Sequence, residues 1–346
     1  MLAAMRITRP RRSLLAAGVA ALLLPGMAGL ASLAGCAARA DPPRQHPGSG
    51  RAAARPTEKG LGALRAGLTG RADRPAYYLS LGDSLARGIQ PDAGGQDVAT
   101  GQGYPDQLAA LLRGQLGGLR LIKLGCPGET TSTMIHGGIC RYPAGSQLAQ
   151  AARFLRSYHG PVALITIDIG GNDPNSCVLG RPLVTILPCM NRRMPQTERN
   201  LSAILARLRS AAGPRVLIVG MTYYVPELGL WDRGQTGREI AGVTADFVAG
   251  ADKMLVARYH RYGARVADVF GAFRSSDFAS TRPATEPAGS PAGGRPGTGR
   301  GAGPVNVGIV CSLTWMCAAP PRGPNEHAND VGYRVIARAF WRAITR

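Results

Sequence analysis

From residue 76 onward, short apolar runs alternate with longer stretches in which apolar residues recur at helical spacing. The runs Tyr77–Leu81, Leu119–Leu124, Val162–Ile169, Val216–Gly220 and Arg265–Val269 have the length and Val/Ile/Leu content of buried strands. Between them, Pro105–Leu116, Gln147–Tyr158, Thr197–Ala212 and Thr244–Tyr262 predict helices, and a last helix is expected from about Asp330 to Ile344. Strands alternating with helices in this way predict an α/β fold, a central parallel sheet covered by helices on both faces in three α/β/α layers. One domain over 76–346 accounts for the whole pattern. The pattern fails in two places: residues 36–75, rich in Ala, Arg, Pro and Gly, read as a linker, and residues 281–304, with the same composition, read as a flexible surface insertion.

The first 35 residues have a different character. Arg6, Arg9, Arg11 and Arg12 precede an apolar stretch, Leu14 to Leu24, that is too short to span a bilayer, so residues 1–35 read as an export signal. The segment runs into Leu33-Ala34-Gly35-Cys36, which resembles the bacterial lipobox and implies lipidation of Cys36 as the mature N-terminus, a membrane anchor on the outer face of the cell. The alternative is ordinary secretion, with cleavage near Ala38 or Ala40 and loss of Cys36. Arg11-Arg12 followed by Ser13-Leu14-Leu15 also fits twin-arginine export.

Composition narrows the function classes. With 346 residues, 45% hydrophobic and only 18% charged, the chain carries enough apolar material for a large core. The 41 Lys+Arg against 21 Asp+Glu give a formal net charge of +20, yet the basic residues are almost all scattered arginines without a long run and aromatics are only 5%, so nucleic acid is not expected as a partner. Of seven cysteines, setting aside Cys36 leaves six, an even count that suits an oxidising compartment. Six cysteines allow 15 pairings; clustering along the chain favours Cys126 with Cys140, Cys177 with Cys189, and Cys311 with Cys317. A metal site is a poor alternative, because no Cys-x-x-Cys pair exists and no His stands at ligand spacing from two cysteines.

Four polar segments follow the expected elements. The first strand runs into Leu81-Gly82-Asp83-Ser84-Leu85, the second into Gly125-Cys126-Pro127-Gly128-Glu129-Thr130, and the third into Gly170-Gly171-Asn172-Asp173, while His327 stands just before the last helix. In an open α/β sheet these positions share the carboxyl edge, where ligands bind. Taken singly, Ser84 would read as a helix N-cap, Gly128 and Gly170 as turn glycines and Asn172 as an Asx-turn residue. Together and in this order they resemble the four blocks of the SGNH, or GDSL-type, hydrolases, and secreted actinobacterial lipases and esterases in particular.

The resemblance implies a flavodoxin-like fold and a serine esterase or lipase that needs no cofactor and no metal. It implies Ser84 as nucleophile, His327 as base, and an oxyanion hole made of the Ser84 and Gly128 main-chain N–H groups and the Asn172 amide. The chemistry asks for such groups: a neutral hydroxyl is a poor nucleophile until a base takes its proton, and the oxyanion that follows needs preorganised donors. A helix N-terminus just beyond His327 is expected to favour the neutral imidazole. One departure stands out. The family's Asp two or three residues before the His is replaced here by Asn325 and Pro324, so a Ser–His dyad is expected, with a main-chain carbonyl near Pro324–Asn325 orienting His327. The expected partners are an ester substrate and, through Cys36, the membrane, with the protein a monomer. A carbohydrate O-acetyl esterase or acyltransferase would use the same residues, and the missing Asp leaves room for a catalytically decayed envelope-binding lipoprotein.

Overall fold

The computed structural model describes residues 75–116, 118–174, 177, 183–278 and 303–346, together with Gly62 and Leu64. The export signal 1–35, Cys36, most of the linker 36–75 and all but the last two residues of the insertion 281–304 lie outside the described residues.

The central sheet is built from β1 (Tyr77–Gly82), β4 (Arg120–Lys123), β5 (Val162–Asp168), β6 (Leu217–Met221) and β7 (Arg265–Ala267), in the order β4-β1-β5-β6-β7, every pairing parallel. A separate antiparallel hairpin pairs β2 (Ile89–Pro91) with β3 (Asp97–Ala99). All seven residues of the central strand β5 are buried, as its unbroken apolar run requires, whereas the edge strand β4 is half-exposed. Adjacent side chains go to opposite faces. Tyr78, Leu164, Val219 and Ala267 pack against α2 (Tyr104–Leu116) and α9 (Asp330–Thr345). Leu79, Leu81, Ile165, Ile167 and Ile218 pack against α4 (Gln147–Ser157), α5 (Leu183–Ala212) and the C-terminal turns of α6 (Gly234–Arg261). Leu64, inside the stretch read as linker, is fully buried in the first of these layers.

Two helices are longer than their sequence patterns. The α5 helix begins at Leu183 rather than Thr197 and runs through Pro188 and Pro195, which in isolation would end a helix. Its first half is held by the Cys177–Cys189 disulfide and by a small cluster of Ile186, Cys189 and Met190 against Phe247. The α6 helix begins at Gly234 rather than Thr244, its early turns hidden from a propensity reading by glycines. The short α1 (Ser84–Arg87), α3 (Thr131–His136), α7 (Val269–Ala272) and α8 (Val305–Leu313), a 3₁₀ turn at Pro226–Leu230 and the three-residue hairpin strands left too little periodicity to read.

Disulfides join Cys126 to Cys140, Cys177 to Cys189, and Cys311 to Cys317. Among the described residues no helix is long and apolar enough to cross a membrane.

Candidate active site

The chain leaves β1 for β4 on one side and returns to β5, β6 and β7 on the other, so the topological switch point lies between the carboxyl ends of β1 and β5. Ser84 follows β1 directly. Gly82, at φ +140°, passes so close to Asp168 that a Cβ there would stand 2.2 Å from the Asp168 carbonyl oxygen, which only glycine avoids. Asp83 then caps α1, its Oδ1 accepting from the Leu85 N–H at 2.9 Å. Since the cap is Asp83, Ser84 is not the N-cap that a lone serine at this turn would suggest.

Ser84, Asn172 and His327 line one cleft. Its far wall is apolar, with Met190 and Met194 from α5 and Phe247, Val248 and Leu255 from α6. Gly128 stands outside this lining, on the next loop, at φ +78° and with open space where a Cβ would project. The two loops are tied together, because Asn172 Nδ2 donates to the Glu129 carbonyl at 3.1 Å.

His327 is held from behind by Asn325. The Asn325 side-chain oxygen Oδ1 lies 2.9 Å from His327 Nδ1 and 3.0 Å from the His327 main-chain N–H, while Asn325 Nδ2 donates to Asp97 Oδ1 at 2.8 Å. The expected main-chain carbonyl near Pro324–Asn325 is thus replaced by a side-chain one: the polar amide, folded back in an Asx-turn, reaches Nδ1 first. The amide's orientation is fixed by its neighbours. A main-chain N–H can only donate and an ionised carboxylate can only accept, so Oδ1 faces the histidine and Nδ2 the aspartate. Nδ1 therefore carries the hydrogen, which leaves Nε2 as the basic nitrogen. Burial pulls the His327 pKa below its ordinary value, opposed by the negative charges of Asp97 and Glu326; the desolvated site, rather than the neighbouring helix end, is the leading cause.

The GDSL-like lipase/acylhydrolase family model matches residues 80–289, more than half of the chain. The chain belongs to this family. It is a carboxylic ester hydrolase. Solved structures similar to it include an extracellular lipase from Streptomyces rimosus, 17% identical over 78% of this chain and 99% of that one with a TM-score of 0.49. A lipase from a goat rumen metagenome is 16% identical over 78% and 97%, with a TM-score of 0.46. An acetylxylan esterase from Geobacillus stearothermophilus is 18% identical over 78% and 93%, with a TM-score of 0.44. No curated protein sequence matches the chain.

Several residues that support this GDSL-type site carry no sequence signal. Gln147, a polar residue at the start of α4, is fully buried and clamps the Gly82 peptide, accepting from its N–H at 2.7 Å and donating to its carbonyl at 2.9 Å, and it also donates to Glu129 Oε2 at 3.0 Å. Asp168 Oδ2 accepts from the Asp83 and Ala86 N–H groups, and its Oδ1 from the Tyr104 hydroxyl. Burial and the adjacent Asp83 push the Asp168 pKa well up. Tyr223, given no role from sequence, lines the cleft and donates to Asp83 Oδ2 at 2.9 Å, and its own N–H is held by Asp252 at 3.0 Å. The Asp173 side chain binds across elements, accepting from the Thr131 N–H at 2.9 Å, the Thr131 hydroxyl and the Thr197 hydroxyl at 3.0 Å.

Proposed function

We propose that the protein is an exported serine esterase or lipase that cleaves acyl esters through an acyl-Ser84 intermediate. His327 Nε2 takes the Ser84 Oγ proton as Oγ bonds to the ester carbonyl carbon, and the carbonyl electron pair moves onto its oxygen. That oxyanion is met by the Ser84 and Gly128 N–H groups and the Asn172 amide. Collapse of the intermediate breaks the bond to the alcohol, which leaves with the proton from Nε2. Water then repeats the sequence, releasing the acid and restoring Ser84.

The observation that carries this reading is the shared cleft, which combines Ser84, Asn172 and His327 with an apolar wall of methionines and Phe247. A wall of that kind suits an acyl chain of several methylenes, each worth about 0.8 kcal/mol when buried, better than an acetyl group. Three disulfides fit an oxidising compartment, and with residues 1–35 as signal the lipobox cysteine Cys36 would tether the domain to the outer face of the membrane, the segment after it serving as spacer. The test is a series of p-nitrophenyl esters of increasing acyl length, run beside acetylated sugars. The expected result is kcat/KM rising beyond acetate and little release of acetate from the sugars; a preference for acetylated sugars overturns the substrate assignment.

A further inference from the structure

The family's usual acid is missing before His327, yet a carboxylate does reach the imidazole, from a distant part of the chain. Asp97 Oδ1 lies 3.4 Å from His327 Nδ1 and accepts the Asn325 amide hydrogen at 2.8 Å. We propose that Asp97, on strand β3 of the hairpin, is the acid of this site, a positioning residue that acts on His327 both directly through its charge and through the Asn325 amide. The proposal rests on the reading of Ser84 and His327 as the reacting pair.

The hairpin is built onto the His327 segment. Gln90 Nε2 donates to Asp330 Oδ1 at 2.7 Å, and Gln90 Oε1 accepts from Trp315 Nε1 at 3.1 Å. The Tyr333 hydroxyl donates to the Ile89 carbonyl at 2.8 Å. At the hairpin tip, Gly95 packs so closely on the 320–324 loop that a Cβ would stand 2.2 Å from the Pro321 carbonyl oxygen. On the other side, Trp315 N–H donates to the His327 carbonyl at 3.0 Å. Asp97 is thus placed by three bonds and a close contact that do not involve its own side chain.

The other nearby carboxylates are differently placed. Asp330 is occupied by Gln90, and Glu326 and Glu227 line the cleft on the substrate side. The charged groups acting on His327 are Asp97 from the hairpin and Glu326 from its own loop, and Glu326 in turn feels Asp83 and Asp97. Asp97 does two things for the reaction. By fixing the amide it keeps hydrogen on Nδ1, so Nε2 faces the cleft as a base. Its charge then stabilises the imidazolium formed when Nε2 takes the Ser84 proton. Because its side chain is 49% exposed, the charge is partly screened by water.

The test compares the wild type with Asp97→Ala, Asp97→Asn, Ser84→Ala, His327→Ala and the double variant Asp97→Ala/Asn325→Asp. Asp97→Ala is expected to lower kcat on the order of 10²-fold, less than the ~10⁴ of a buried triad acid, with KM changed by no more than about threefold. The acid limb of kcat/KM should move to lower pH, because removing a negative neighbour lowers the imidazole pKa. Asn325→Asp in the Asp97→Ala background should return most of kcat by setting a carboxylate beside Nδ1. Unchanged kcat and an unmoved acid limb in Asp97→Ala overturn the proposal. If Ser84→Ala or His327→Ala keeps its activity, the functional reading itself falls. The NMR titration of His327 still judges the contact in that case: its ring pKa must drop in Asp97→Asn, and an unchanged value overturns the role of Asp97.

Discussion

At the scale of single residues, the site depends on a few atoms held by buried polar neighbours. Asn172 is oriented by its bond to the Glu129 carbonyl, and if its amide meets the developing oxyanion, Asn172→Ala should lower kcat by roughly 10²–10³ with the fold intact. Steady-state kinetics with circular dichroism checks this, and an unchanged kcat would show that the amide does not serve the oxyanion. His327 supplies a pH signature. Burial lowers its pKa below the ordinary imidazole value of 6.5, so the base stays neutral into mildly acidic solution, and the acid limb of kcat/KM should have its midpoint below about pH 6.5. A midpoint well above that would mean that Asp97 and Glu326 outweigh desolvation. The Gly82–Asp83–Ser84 run and the His327 segment were legible in the sequence because each sits at a strand or helix end with its own polar context. Asp97 was not, since 230 residues of chain separate it from His327 and an Asp in a short hairpin reads as turn chemistry.

At the scale of elements, the loops are set in place by groups that look ordinary in the sequence. Gln147 joins the β1–α1 turn to the Gly128 loop, and replacing it by Ala strips the Gly82 N–H of its partner, while the Gly82 carbonyl keeps the Cys126 N–H at 3.1 Å. Each buried group left unpaired costs about 1–3 kcal/mol, so Gln147→Ala should lower both the melting temperature and kcat; a loss of stability with full activity would show that the turn holds its shape without the clamp. The helix pair α5 and α6 forms the acyl side of the cleft. Met194→Trp should fill it and reduce kcat/KM for long acyl chains by about 10–200-fold while sparing short ones, measured on the p-nitrophenyl series. The strands were readable because a fully buried run such as β5 has one interpretation. The N-terminal half of α5 was not, because its prolines are tolerated only once a disulfide and Phe247 hold the helix from outside.

At the scale of the whole molecule, the disulfides and buried carboxylates spread along the sheet's carboxyl edge set the conditions under which the fold survives. Each disulfide lies near one segment of the candidate site: Cys126 begins the Gly128 loop, Cys177 follows the Asn172 loop, and Cys311–Cys317 braces the Trp315 arm that pairs with His327. Burial also pushes several carboxyls up, Glu227 to about 7 and Asp252 to about 8. A carboxyl whose folded pKa is raised adds stability while protonated and withdraws it as pH rises from the unfolded value near 4 through the folded one. Asp252 is buried and one of its oxygens has no hydrogen-bond partner, so Asp252→Asn should raise the melting temperature relative to wild type by more at pH 9 than at pH 5. A difference that shrinks with pH would contradict the buried, protonated state.

If Ser84 is an activated nucleophile in a cleft with His327, it should be labelled by a fluorophosphonate, which peptide mapping by mass spectrometry reads out. Only a serine whose proton is taken by a base reacts at neutral pH. The expected result is one phosphonylated site on the peptide that carries Ser84, absent in Ser84→Ala and strongly reduced in His327→Ala. An unlabelled protein, or a label on another residue that survives Ser84→Ala, would rule out Ser84 as the nucleophile.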